Sequence, residues 1–224
     1  MKPFVPFSTL HGNITLAVIA MILLLAWYAK KYATPHNYQR DANLFMLLML
    51  GIYALLTVTK ILQHEWTIQG NLPLHLCDIS AWTLVYALYT KNNRAFQAGY
   101  FWGMTGALLA FGLPNVKTID WYLIPFFTWH ALLAAAPIYF MLTQKNYPTH
   151  RGLWETIGIT IVLAFVIMGF NHLIGSNYMF VNQKIDAMNP LGFPEYPAYL
   201  LYLTPIMIVL FYLLYLPFAF AKKR

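Results

Sequence analysis

Seven apolar stretches, each about the length needed to cross a bilayer, follow one another along this sequence. They cover residues 12–33, 43–63, 72–90, 95–113, 121–142, 153–174 and 196–219. A membrane-spanning helix needs roughly 20 mostly apolar residues. Charged residues make up 9% of the chain, against about 25% in soluble domains, so a soluble core could not enclose this much apolar surface. The sequence predicts an all-α polytopic membrane protein with seven transmembrane helices in a single domain, residues 1–224.

The positions of the basic residues predict the direction in which these helices cross. Ten of the 14 Lys and Arg residues lie in the connections 30–42, 91–94 and 143–152 or in the tail after residue 221. Cytoplasmic loops carry an excess of Lys and Arg. We therefore expect the N-terminus outside and the C-terminus in the cytoplasm. The net charge of +7 is explained by these loops, and nucleic acid is not expected as a partner.

In this orientation, most polar side chains within the spans lie in the outer half of the membrane. The group consists of Lys60, His64, Glu65, His75, Cys77, Asp78, His130, Asn171, His172 and the adjacent Asn177. Ionisable residues inside a membrane usually face the interior of the bundle or a water-filled cavity. The sequence predicts a polar pocket that opens outward. The alternative is that some of these side chains only join helices or reach the membrane surface.

The stretch "NLPLHLCDIS", residues 71–80, contains the only cysteine. If Asn71 caps this helix and Pro73 lies in its first turn, Cys77 is about five residues past the start. His75 and Asp78 would be neighbours at i,i+3. Cys77 would lie about 160° around the helix from His75, so the two side chains would not face one small pocket.

A lone cysteine excludes an internal disulfide and a Cys-rich metal site. It is either a small buried hydrophobe or a nucleophile, which a histidine partner activates as the thiolate. If Cys77 is a nucleophile, its base must come from another span. His130 is the candidate, because it is an imidazole deep within the apolar segment "PFFTWHALLAAAP". Gly103, Gly106 and Ala110 of the fourth span predict close approach of a neighbouring helix.

Several stretches resemble a known family of membrane proteins. They are "LPLHLCDIS", "FWGMTGALLAFGLPN", "WHALLAAAPIYFML", "GSNYMFVNQKID" and "LLYLPF". In this order they resemble the YwaF-type bacterial integral membrane proteins, from about residue 40 to 217. That family is distantly similar to eukaryotic seven-span ether-phospholipid acyltransferases. The resemblance implies a bacterial plasma membrane protein that transfers fatty acyl chains through a cysteine thioester, with its active site toward the extracytoplasmic side.

Two positions carry the resemblance to the eukaryotic enzymes. Their cysteine follows a short apolar stretch that opens a span and is matched by Cys77. Their histidine precedes a Pro-Ile-Tyr sequence and is matched by His130, ahead of residues 137–139. The eukaryotic motif reads Pro-Cys-His, whereas this chain has Leu76, Cys77 and Asp78.

The leading hypothesis is a lipid acyltransferase that uses a phospholipid acyl donor and a lysolipid-type acceptor, without a cofactor. Cys77 would attack the acyl ester, and His130 would act as general base and acid. The expected substrate-binding residues are His75 and Asp78 near the head group or oxyanion, Asn171, His172 and Asn177 at the pocket rim, and Lys60 as a positive charge.

Other classes remain open at this stage. His75, Asp78, His130 and His172 offer enough ligands for a zinc-dependent hydrolase, although no span shows a recognised ligand pair. With water as the acceptor, the cysteine site would itself be a lipid hydrolase. A seven-span receptor or transporter is the third class. Residues 196–221 contain no lysine, which argues against a retinal Schiff base there.

Overall fold

The computed structural model describes residues 2–114, 116–184, 189 and 192–220. Within this part of the chain there are two short strands, seven α-helices and one 3-10 turn. The elements are β1 (Lys2–Pro3), α1 (Thr9–Tyr32), α2 (Pro35–Leu62), α3 (Leu76–Thr90), α4 (Asn93–Gly112), β2 (Thr118–Ile119), α5 (Leu123–Gln144), α6 (His150–Ile174), the 3-10 turn (Tyr178–Phe180) and α7 (Leu200–Ala219). The basic tail, Lys222 to Arg224, lies outside the described residues.

The predicted helical class is confirmed. Among the described residues, the helices α1, α2, α5, α6 and α7 are long and apolar enough to cross a membrane. The protein is therefore an integral membrane protein by the length and composition of its helices. The helix α3 has 15 residues, about 22 Å at roughly 1.5 Å per residue. This is shorter than a hydrocarbon core of about 30 Å.

Helix capping explains why several helices begin earlier than the apolar pattern predicts. The helix α2 starts at Pro35, eight residues before the predicted span. Thr34 Oγ1 accepts a hydrogen bond from Asn37 N at 3.2 Å, and proline is favoured at the first helical position. Thr149 caps α6 in the same way through Gly152 N, at 3.0 Å. These polar first turns are helical, but hydropathy alone does not include them.

The start of α3 differs from the prediction in the opposite direction. The helix begins at Leu76 rather than residue 72, with His75 as its N-cap residue. Asn71, the predicted cap, instead accepts a hydrogen bond from Thr67 N at 2.9 Å within the preceding turn. Leu72 N donates to the Tyr178 hydroxyl, also at 2.9 Å. Because these groups are already paired outside the helix, Cys77 is the second residue of α3.

The helices α4 and α5 form the centre of the bundle. The helix α5 contacts α1, α2, α3 and α4, and α4 also contacts α6 and α7. A Cβ atom added to Gly103 would lie 2.7 Å from Leu133 O of α5 and 3.0 Å from Ser80 Oγ of α3. The sequence predicts the close approach of one neighbouring helix, and glycine at this position permits the close approach of both α3 and α5.

Polar contacts join α1, α2 and α5 around Asp41, which is buried. Its carboxylate accepts hydrogen bonds from the hydroxyls of Tyr139 at 2.7 Å and Tyr28 at 3.2 Å. Arg40 forms an ion pair with the same carboxylate at 2.9 Å. Elsewhere in the bundle, β1 pairs with β2, so that Lys2 lies opposite Ile119. The N-terminus and the connection from α4 to α5 therefore lie together.

Candidate functional site

A cavity of about 880 Å³ lies within the bundle. Small-molecule sites are typically about 300–1,000 Å³. Every helix except α1 contributes to its lining, together with the segment before α3 and the 3-10 turn. The polar residues of the lining include Lys60, Asn71, His75, Cys77, Asp78, Thr105, Tyr122 and His130. Most of the remaining lining is apolar and comes from α4, α6 and α7. The cavity suits an amphiphilic ligand.

Cys77 lines this cavity from the first turn of α3. A Cβ atom added to Gly106 of α4 would lie 2.8 Å from Cys77 Sγ, so the missing side chain of Gly106 leaves the room that the thiol occupies. The first backbone N–H groups of a helix lack intrahelical partners. A negative charge that develops near the start of α3 is therefore stabilised by these groups and by the helix dipole.

His130 lies in the middle of α5 and is 8% exposed. Its Nδ1 is 2.8 Å from the carbonyl oxygen of Phe126. Because a carbonyl only accepts hydrogen bonds, Nδ1 must carry the hydrogen, and the neutral ring then has its lone pair on Nε2. Among the described residues, Nε2 has no hydrogen-bond partner. His130 therefore offers the cavity a proton acceptor.

His75 lines the same cavity as Cys77, which corrects the expectation that the two face different sides. That expectation assumed one regular helix through both residues, whereas His75 precedes the helix. Its Nδ1 accepts a hydrogen bond from Met179 N at 3.3 Å. Its ring lies against Tyr178 and Phe180, with centroid distances of 5.2 and 4.9 Å. The 3-10 turn thus fixes the imidazole.

Asp78 also lines the cavity. The predicted link between His75 and Asp78 exists through the backbone, where Asp78 N donates to His75 O at 2.9 Å. The Asp78 carboxylate also accepts a hydrogen bond from the His75 backbone N–H. Lys60 lies over the Tyr122 ring, 5.9 Å from its centroid, and its charge acts on both His75 and Asp78. The Lys60 ammonium and the Asp78 carboxyl group therefore share this end of the cavity.

The structure places the three predicted rim residues outside the described lining of the cavity. Asn171 is buried, and its side chain donates to Tyr178 O at 2.9 Å and to Asn182 Oδ1 at 2.8 Å. Asn177 accepts hydrogen bonds from the backbone of residues 182 and 183. His172 is exposed. Asn171 and Asn177 organise the segment after α6, and this segment in turn supports His75.

Thr105 and Tyr178 are not predicted from the sequence. Thr105 is 5% exposed, and its Oγ1 has no hydrogen-bond partner among the described residues. Thr105 directly precedes Gly106 in the sequence. A threonine in an apolar helix commonly hydrogen-bonds to its own backbone, so its presence there does not predict a functional site. The Tyr178 hydroxyl donates to Ile68 O at 2.6 Å and accepts from Leu72 N. It thereby joins the 3-10 turn to the segment before α3.

A second, smaller cavity of about 390 Å³ adjoins the first. We call it the polar mouth. It is lined by Lys60, Gln63, Glu65, Asp120, Trp121 and Tyr122. Lys60 and Tyr122 belong to the lining of both cavities. The polar mouth therefore lies beside the charged end of the larger cavity.

The arrangement of possible metal ligands bears on the zinc hypothesis. Within the described part of the chain, no three His, Cys, Asp or Glu side chains are grouped closely enough to hold one metal ion. His172, one of the four predicted ligands, is exposed and does not belong to the described cavity lining. The side chains that share the cavity fit acid–base and nucleophilic chemistry better than metal binding.

Comparison with known proteins places the chain in a family. The sequence model of the TMEM164 family matches residues 6–215. An uncharacterized protein of Treponema pallidum (strain Nichols) is 26% identical over 220 residues, which cover 96% of this chain and 90% of that protein. No solved structure matches the chain. Because the family match covers nearly the whole sequence, the chain belongs to the TMEM164 family.

Proposed function

We propose that this protein is an intramembrane acyltransferase that moves a fatty acyl chain between phospholipid-type lipids through a thioester at Cys77. One observation carries the proposal: the only cysteine and a histidine with an unpaired Nε2 line the same largely apolar cavity. The resemblance to YwaF-type proteins, and through them to eukaryotic ether-phospholipid acyltransferases, supports the same pair of residues.

In the first half-reaction, His130 Nε2 accepts the thiol proton and Cys77 Sγ attacks the ester carbonyl of the donor lipid. The carbonyl becomes a tetrahedral oxyanion, which the free backbone N–H groups at the start of α3 can stabilise. The ester C–O bond then breaks. The departing lysolipid alkoxide takes the proton from His130, and the acyl chain remains on sulfur as a thioester.

In the second half-reaction, a hydroxyl group of the acceptor lipid attacks the thioester carbonyl. His130 removes the hydroxyl proton as the new C–O bond forms. The C–S bond breaks, and the Cys77 thiolate recovers its proton from the imidazolium. The products are an acylated lipid and the free enzyme. Water in place of the acceptor hydroxyl would release a free fatty acid by the same steps.

The charged end of the cavity is suited to bind the polar part of the lipid. The Lys60 ammonium can pair with a phosphate, and His75 Nε2 and the Asp78 carboxylate can hydrogen-bond to glycerol or head-group atoms. His75 is preorganised by its contacts with residues 178–180. The apolar side chains of α4, α6 and α7 would surround the acyl chain.

The proposed arrangement in the membrane has seven crossings, with the N-terminus and the polar mouth on the extracytoplasmic side of a bacterial plasma membrane. The distribution of Lys and Arg supports this direction. The short α3 would complete its crossing with the segment of residues 66–75. This non-helical segment lies beside the cavity and is tied to Tyr178, as irregular backbone within a membrane requires.

The test is the intact mass of the purified protein after incubation with mixed phospholipids. We expect an acyl-sized adduct that hydroxylamine removes, and the mass identifies the chain. Cys77→Ala should give no adduct. His130→Ala should slow its formation by about 10²–10⁴-fold, the usual contribution of a general base. His150→Ala is the matched control, because His150 is exposed and belongs to no described cavity lining.

Adding a lysolipid acceptor separates the possible reactions. Loss of the adduct with formation of a new phospholipid supports a transferase, whereas release of free fatty acid supports a hydrolase. If no adduct forms and Cys77→Ala still turns over or binds lipid, the covalent route is wrong. Metal analysis and ligand-transport assays of the purified protein would then decide between the zinc hydrolase and the transporter or receptor.

A further inference from the structure

One wall of the large cavity is open on the outside of the bundle. Phe165 of α6 and Leu201 of α7 belong to the cavity lining, yet they are 67% and 76% exposed. Ile161 and Ile206 are lining residues that are also exposed. Lining side chains with this exposure are not covered by a further layer of protein, so they lie at the border between the cavity and the surface of the bundle. The cavity therefore reaches the surface of the bundle on the side of α6 and α7.

This wall follows the helical repeat on both helices. We call it the α6–α7 wall. Its residues are Ile161, Ala164, Phe165 and Met168 of α6, and Leu200, Leu201, Leu203, Thr204, Ile206, Met207 and Leu210 of α7. On α6 the spacing of i, i+3, i+4 and i+7 defines a single face. The wall is apolar except for the Thr204 hydroxyl. Thr160 of α6 also lines the cavity, but it is buried and its hydroxyl is bonded to Trp102 Nε1 and Thr156 O.

The wall lies between the two points where α6 and α7 are joined. At one end, the rings of His150 and Tyr215 are 5.9 Å apart. At the other end, Leu200 packs against the cluster that contains Ile167 and Tyr178. Both helices are long and apolar enough to cross the membrane. The open wall is therefore bordered by contacts at both ends and faces the hydrocarbon core of the bilayer.

We propose that the α6–α7 wall is a lateral opening through which the acyl chain of a bilayer lipid enters the cavity. The occupant follows from the chemistry of the α6–α7 wall and of the polar mouth. The wall is apolar and faces hydrocarbon, whereas the polar mouth carries Lys60, Glu65 and Asp120. A lipid with its chain through the wall and its polar end toward the mouth satisfies both. The inference rests on the proposed function and deepens it. It can be tested separately, because entry of a lipid chain into the cavity requires no acyl transfer.

The single cysteine makes this access measurable without catalysis, because any thiol label reports Cys77 alone. The protein is reconstituted in phosphatidylcholine vesicles and treated with two probes. One is a maleimide on a diacyl lipid tail, which approaches within the bilayer. The other is a small, charged methanethiosulfonate, which approaches from water through the polar mouth. Labelling rates are read from the intact mass.

Narrowing the wall should affect the probes differently. Ala164→Phe and Thr204→Phe each add a ring to the wall, and we expect labelling by the lipid-tailed probe to fall about tenfold or more. Labelling by the small probe should stay within about twofold, which also shows that the variants are folded. Phe165→Ala removes a ring and should accelerate the lipid-tailed probe. Val162→Phe and Val209→Phe are matched controls, because both valines are exposed but lie outside the described lining.

The inference is overturned if the wall variants match their controls with the lipid-tailed probe, or if they slow both probes equally. It is also overturned if Gln63→Trp, which narrows the polar mouth, slows the lipid-tailed probe instead of the small one. The proposed function fails separately. If no acyl adduct forms with natural phospholipids while the wall variants still control the lipid-tailed probe, the lateral opening stands and the acyltransferase does not.

Discussion

Gly106 gives the sharpest test of how the bundle holds the Cys77 thiol. In Gly106→Ala, the new Cβ would lie 2.8 Å from Cys77 Sγ. Ordinary contacts begin near 3.4 Å, so the sulfur must move by at least about 0.6 Å, and a change of rotamer is the simplest way. Since Sγ is the free end of a short side chain, we expect a loss of stability of only about 0.5–1.5 kcal/mol.

The effect on the reaction should be larger than the effect on stability. A displacement of about 1 Å at a reacting atom can reduce the rate about 10²-fold. We therefore expect Gly106→Ala to slow formation of the acyl adduct by about 10- to 100-fold. Gly103→Ala should lower stability more than it slows adduct formation, because its new Cβ would meet Leu133 O, a backbone atom, at 2.7 Å. Such overpacking costs about 1–3 kcal/mol.

Gly112→Ala is the matched control on the same helix, because nothing lies within 4 Å of its added Cβ. It should leave the adduct unchanged and raise stability by up to about 1 kcal/mol. The assay compares the three variants by thermal unfolding in detergent and by intact mass over time. The reasoning is refuted if Gly106→Ala keeps the wild-type rate of adduct formation. It is also refuted if Gly106→Ala unfolds as easily as Gly103→Ala.

Three further substitutions test contacts that support the site or the bundle. Tyr139→Phe removes a hydrogen bond to the buried Asp41 carboxylate and should lower the free energy of unfolding by about 1–3 kcal/mol, while the acyl adduct still forms; an unchanged unfolding temperature would contradict this. Tyr178→Phe leaves Ile68 O and Leu72 N without their partner, so hydrogen exchange in residues 66–75 should accelerate, whereas Tyr196→Phe, at an exposed position, should not change it. Thr105→Val replaces an unpartnered buried hydroxyl with a methyl group and should be neutral or stabilising by about 1 kcal/mol in thermal unfolding. Slower adduct formation in the same variant would indicate that the hydroxyl contacts the lipid.

The sequence predicts the helices better than their starting points. Apolar runs indicate the interior of each helix, but the polar first turns of α2 and α6 depend on Thr34 and Thr149 as caps. The start of α3 depends on long-range contacts. Asn71 is a good N-cap residue, yet it is paired within the turn before the helix. Leu72 is held by Tyr178, which lies 106 positions along the chain. A local pattern does not contain that information.

The predicted start of α3 also determines the predicted geometry of the site. If α3 began at residue 72, His75 and Cys77 would face different directions and the dipole would hardly reach the thiol. Because the helix begins at Leu76, both residues line one cavity, and Cys77 lies in the first turn. The sequence predicts that these polar residues share one level of the bundle. It cannot distinguish Asp78, whose carboxylate faces the cavity, from Asn171, whose side chain is fully paired.

Hydrogen bonding separates the polar residues of the bundle into two groups. Buried polar groups in proteins are normally hydrogen-bonded, and Asn171 follows this rule with bonds at both its nitrogen and its oxygen. Among the described residues, His130 Nε2 and Thr105 Oγ1 lack partners and belong to the lining of one cavity. His11 Nε2 is also unpartnered, but it is enclosed by the rings of residues 4, 7 and 127, which can accept a weak N–H contact. Unpaired groups that share a cavity can instead be satisfied by a ligand. The paired residues hold the segments that bring those groups together, which is why a polar residue in a span can be essential to the site without touching a lipid.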